Sequence, residues 1–229
     1  MPDSISSHAA QSKSLSFWQK HQFWLFLIAG AIIRKIPIVS IPFNWLESYF
    51  HEIGHGLAAL ATGGSIINIQ LFADGAGLCT TQGGSVFIIS FFGYAGAILW
   101  GGLIYSFAGQ HQRLAQFFSG FIILLLCVSI LLWARDLLTI IILGSLLTMF
   151  IMTIKLKRLT ILQKFVQLLG IIVLLNSLFS PLYLLDGRNL GDGARLSAST
   201  GIPEVLWVTI WSGLALGMIV FLSRLKAKV

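Results

Sequence analysis

Seven stretches of this chain, at about 17–33, 43–62, 85–108, 117–133, 137–154, 165–185 and 203–222, run for roughly 17 to 24 residues with almost no charge. A helix needs about 20 apolar residues to cross the hydrocarbon core of a bilayer. Lipid offers no water to a backbone whose polar groups are not paired internally, so such runs cross as helices or as closed barrels. Runs of this length predict an all-α polytopic membrane protein with six or seven transmembrane helices. Composition agrees, since 56% of the 229 residues are hydrophobic and only 10% are charged, against about a quarter charged in an ordinary soluble domain. That many spans leave no length for an appended soluble domain, so residues 17–229 are expected to form one integral-membrane domain. Whatever chemistry the chain performs must lie among its helices.

Residues 1–16 are polar and Ser-rich and read as a disordered tail. The first apolar run is followed by Arg34 and Lys35, where a cleavable signal would need small residues, and is therefore expected to stay as an anchor. The net charge of +7 does not call for nucleic acid as a partner, because the positive residues cluster between apolar runs as they do in loops held on the cytoplasmic side. In a seven-span arrangement one side carries ten Lys and Arg and the other five, which predicts a cytoplasmic C-terminus in the cytoplasmic (inner) membrane. Cys79 and Cys127 lie in different surroundings and imply no disulfide framework.

Ser65 to Gln82 differs from everything around it. It is too interrupted to span, and Asp74-Gly75 at its centre is a hairpin-turn signal, so a re-entrant or interfacial β-hairpin is expected there. Non-helical backbone survives at membrane depth only where protein or a watery cavity satisfies it. The hairpin is therefore expected to border a cavity. The run that follows contains Gly93, Gly96, Ala97, Gly101 and Gly102, small residues at spacings that let helix backbones approach closely.

The second run holds His51-Glu52-Ile53-Gly54-His55, the pattern H-E-x-x-H. Four residues make just over one helical turn, so both imidazoles project from one face and can share a zinc ion, with Glu52 beside them to activate water. Ionisable groups buried in a membrane are costly and need a reason of this kind. Zinc in a catalytic site takes a third protein ligand and keeps a fourth position open. Acidic residues are few: besides Glu52 there are Asp3, Glu47, Asp74, Asp136, Asp186, Asp192 and Glu204. Asp3 is in the tail, Asp74 in the hairpin turn, and Asp136 beside Arg135 in a tight connection. Glu47, four residues before His51, is either a partner to an imidazole or a solvated interfacial carboxylate. Asp186 and Asp192, each preceding a glycine, remain as third ligands; Asp192 opens what reads as a short helix over residues 193–199.

On these residues the chain resembles the site-2 protease family of intramembrane zinc metalloproteases, and within it the small branch without a PDZ domain, peptidase M50B-like. The resemblance covers about residues 43–220. It rests on His51 to Gly56, the Gly-rich segment after it, Gly93-Tyr94-Ala95-Gly96, and Gly191-Asp192-Gly193-Ala194-Arg195-Leu196 with Thr200-Gly201-Ile202-Pro203. It implies Zn2+ held by His51, His55 and a distant aspartate, Glu52 as general base, and cleavage of a membrane-spanning protein or peptide substrate. Asp192 with Thr200 to Pro203 matches the small branch. Leu185-Asp186-Gly187 matches the broader family, which keeps Asp186 as the alternative third ligand. Two other functions share the ligand set: a noncatalytic metal-binding membrane scaffold, which would not need Glu52, and a metal-ion transporter, which would spread acidic residues and histidines through several spans.

Overall fold

The computed structural model describes residues 17–155 and 158–225; the tail expected at 1–16 lies outside the described residues. Helix α1, Phe17–Ile33, leads through a three-residue break into α2, Pro37–Ala61. Pro37 sits in the first turn, where its missing N–H costs nothing, and Pro42 removes one further backbone bond close to that end. This is why α2 begins well before residue 43. At its other end Gly63, at φ +82°, closes the helix. Gly63 N–H donates to Leu60 O and Gly64 N–H to Ala59 O, the paired bonds of a glycine-terminated helix.

Strands β1, Ser65–Leu71, and β2, Gly77–Gln82, form the expected antiparallel hairpin. Its turn is fixed by Asp74, whose Oδ1 accepts the Ala76 N–H at 3.0 Å. Then follow α3 (Val86–Gln110), α4 (Gln112–Leu132), α5 (Leu137–Ile154) and α6 (Leu159–Phe179), a 3₁₀ turn at Ser180–Leu185, the short α7 (Asp192–Thr200) and α8 (Glu204–Arg224).

Among the described residues, five helices are long and apolar enough to cross a membrane: α3, α4, α5, α6 with its 3₁₀ extension, and α8. The α1–α2 pair, bent by 111° at its break, adds a sixth if it counts as one broken span. Counted that way the spans number six, within the expected six or seven. Seven is not, because α1 and α2 meet across a sharp bend and pass only together.

Helix α3 lies between α2 and α6, and its glycines set how closely. A Cβ on Gly54 of α2 would come within 2.4 Å of Phe92 O, and one on Gly96 within 3.1 Å of Gly54 Cα. Toward α6, a Cβ on Gly170 would meet Gly101 O at 2.8 Å. The small-residue spacing in α3 thus serves two backbone contacts on different faces, as the sequence suggests for packing between membrane helices. The largest core cluster spans α2, the hairpin and α3 to α6, with Tyr49, Phe50, Ile53, Ile69 and Leu71 fully enclosed. The hairpin is thus packed against helices, and its backbone groups are met by them: Ile69 N–H donates to Trp133 O and Leu71 N–H to Thr139 Oγ1.

Candidate metal centre

His51 and His55 lie one turn apart on the same face of α2, as their spacing requires. Asp192, 141 residues after His51, is brought to them by the N-terminal end of α7. His51 Nε2 stands 3.0 Å from His55 Nε2 and 3.1 Å from Asp192 Oδ2; His55 Nε2 stands 3.2 Å from the same oxygen. Among the described residues these three form the one group of histidine, cysteine or acidic side chains that could hold a metal ion.

Donors bound at about 2.0 to 2.1 Å in a tetrahedron stand roughly 3.3 Å apart. Two imidazole nitrogens and a carboxylate oxygen at nearly that spacing fit zinc in both size and chemistry. The His55 ring is oriented from behind, where its Nδ1–H donates to Ile89 O at 2.7 Å and leaves the Nε2 lone pair facing the triad. The His51 ring is gripped by Tyr94, at 4.3 Å between centroids and near perpendicular. Tyr94 in turn packs on Trp211 of α8, whose Nε1–H donates to Phe91 O at 3.1 Å.

Burial works against charge on Asp192, but the two imidazoles beside it outweigh burial and hold its carboxyl well below the ordinary carboxylate range. Asp186, the other candidate ligand, is elsewhere: its carboxylate accepts the Arg188 backbone N–H at 2.9 Å and pairs with the Arg188 guanidinium at 2.5 Å. It is a turn residue outside the cluster.

Glu52 is buried beside the triad, with His51, His55 and Asp192 as its main charged neighbours and the Cys79 backbone N–H as a hydrogen-bond donor. Room for its side chain comes from Gly77, where a Cβ would lie 2.5 Å from Glu52 Oε1. Cys79 supplies only backbone to the carboxylate. Burial and the nearby Glu52 and Asp192 charges push its thiol up to about 12, so it stays neutral.

Sequence reasoning gave Gly93 a packing role and missed its place at the centre. A Cβ there would lie 2.4 Å from His55 Cε1, 2.6 Å from His55 Nε2 and 2.7 Å from His51 Nε2, so the absent side chain leaves the space between the donors open. Its position next to Tyr94 in Gly93-Tyr94-Ala95-Gly96 was the available signal. Gly93→Ala is expected to abolish stoichiometric zinc binding while the protein still folds and inserts, because the methyl occupies the ion's place rather than a helix contact. Zinc per chain in detergent-purified protein checks this; full occupancy in the variant would show that the ion does not sit there.

Compared with known proteins, residues 24–222 match the family described as Peptidase M50B-like. No curated protein and no solved structure matches the chain.

Proposed function

The chain belongs to the peptidase M50B-like family, site-2 protease-like peptidases of the membrane, and from that premise we propose that it is an intramembrane zinc metalloendopeptidase acting on membrane-embedded protein substrates. The observation that carries the reading is the triad of donors 3.0 to 3.2 Å apart with a buried carboxylate beside it. His51, His55 and Asp192 would hold the ion. Zinc bound there supplies Lewis acidity, bringing the pKa of a water to near neutral and polarising a carbonyl. Glu52 takes the proton of the attacking water and returns it to the departing amine. The Cys79 N–H fixes the carboxylate's orientation while the other lone pairs stay available. The decisive test is whether Glu52→Gln keeps the metal and loses cleavage; retention of both would exclude Glu52 as the base, and a wild type that holds zinc without cleaving would favour the scaffold.

A peptide bond inside a helix is shielded by its hydrogen bonds, so the substrate must be extended at the site. The hairpin has one edge for it. Ile69 and Leu71 send their N–H groups away from β2, to Trp133 and Thr139, so their register partners Cys79 and Gly77 point their own polar groups away from β1. The outer edge of β1 is covered by the α4–α5 connection; that of β2 runs past Glu52. A substrate strand paired to β2 brings its carbonyls to the triad. By strand alternation Thr81, two residues beyond Cys79, presents its N–H to the same outer edge, beside the register shift of β1 between Ile66 and Asn68, and Thr81→Pro removes that donor. Cleavage of a membrane-anchored reporter is expected to fall by about tenfold, the worth of one net hydrogen bond, with zinc content unchanged. Undiminished cleavage would remove this mode of pairing.

For orientation, counting the bent pair as one span puts ten Lys and Arg on the side of the C-terminus and three on the other, with Arg34 and Lys35 in the break itself. We propose a cytoplasmic C-terminus on that bias.

A further inference from the structure

Glu47 lies one turn before His51 on α2 and is only 7% exposed, so it is no solvated interfacial carboxylate. A carboxylate buried in an apolar helix bundle is costly unless its oxygens are matched. Its single hydrogen bond among the described residues comes from Ser180 Oγ to Oε1 at 3.0 Å, which leaves Oε2 without a partner. Of the charged groups around it, His51 weighs most, ahead of Glu52 and Arg34.

The two histidines of the triad are supported unequally. His55 Nδ1 is tied to Ile89 O, whereas His51 Nδ1 has no hydrogen-bond partner among the described residues. A metal-ligating histidine nearly always donates its second ring N–H to a carboxylate, carbonyl or water, which fixes the tautomer and raises ligand basicity. Side chains on a helix lean toward its N-terminus, so the His51 ring reaches back over the turn that carries Glu47. An unmatched donor and an unmatched acceptor therefore occupy consecutive turns of one helix face.

We propose that Glu47 is a positioning residue for His51, its free oxygen accepting the His51 Nδ1–H through one bridging water and so holding the Nε2 lone pair toward the triad. The inference rests on the zinc reading of the site. Ser180, at the end of α6, occupies only the other oxygen.

The test is zinc affinity by chelator competition in the detergent-purified full chain, with helix content followed in parallel. Glu47→Ala is expected to weaken zinc binding by about 10- to 100-fold and Glu47→Gln by about 10-fold, the range for losing such a partner. Glutamine keeps the length and the Ser180 bond, so it carries the test if the alanine variant fails to fold. Ser180→Ala is expected to stay within about threefold of wild type. In cobalt-substituted protein the d–d bands should shift in Glu47→Gln and not in Ser180→Ala. Wild-type affinity in both Glu47 variants overturns the inference and leaves the zinc reading intact. Equal losses in Ser180→Ala and Glu47→Gln also overturn it, by making Glu47 a tether between α2 and the 3₁₀ turn. Absence of zinc from the wild type would remove the zinc reading and this inference together.

Discussion

Glu52→Gln is expected to retain about one zinc per chain and to lower peptide cleavage by about 10²- to 10⁴-fold, the contribution of a positioned general base. The substitution changes little else. Glutamine has the same length, its carbonyl oxygen can still accept the Cys79 N–H, and it fits the same space against Gly77. It cannot take a proton from water, and no other acidic side chain joins the triad among the described residues. Glu47, the next carboxylate on α2, lies one turn away with Ser180 on one of its oxygens. The measurement is cleavage of a membrane-anchored reporter in proteoliposomes, with zinc determined on the same preparations. A variant that cleaves at the wild-type rate would exclude Glu52 as the base. A wild type that holds zinc but cleaves nothing would turn the assignment toward the noncatalytic scaffold.

Zinc stoichiometry should separate the two aspartates more sharply than any rate. His51→Ala, His55→Ala and Asp192→Ala are each expected to drop zinc from about one per chain to near zero at a free zinc concentration that saturates the wild type, since a site with three protein ligands retains little affinity with two. Asp186→Ala is expected to keep full occupancy, because its partner is Arg188 rather than an imidazole. The sign of each result is diagnostic. Zinc lost with Asp186 and kept without Asp192 would mean that the loop before α7 rearranges on loading. Zinc kept in all four variants would place the ion elsewhere.

The local half of this site was legible in the sequence. The i, i+4 spacing of His51 and His55 and the adjacency of Glu52 are properties of one helix, and periodicity alone predicts that they share a face. The hairpin was readable for the same reason, since Asp74-Gly75 encodes a turn whatever surrounds it. The choice between Asp186 and Asp192 was not local. Both precede a glycine in the stretch between α6 and α8, and only the path of the chain through Gly187, Asn189 and Gly191, all at positive φ, decides which reaches α2. Likewise Glu47 carried two readings until its burial was known, and the roles of Gly93 and Gly54 depend on which neighbour each glycine faces. The angle between α1 and α2 belongs to the same class: Pro37 and Pro42 mark irregularity, but neither specifies the 111° bend between the two helices.

The triad is divided along the chain in a way that matters for how the protein is made. Two donors are contributed by α2 and the third by α7, 141 residues further on. A growing polypeptide carries His51 and His55 long before residue 192 has been synthesised, and through that time it has no third donor for them. On the zinc-peptidase reading, the site stays incomplete until α7 has docked against α2. On the same reading, copies stalled before residue 192 are expected to hold no zinc.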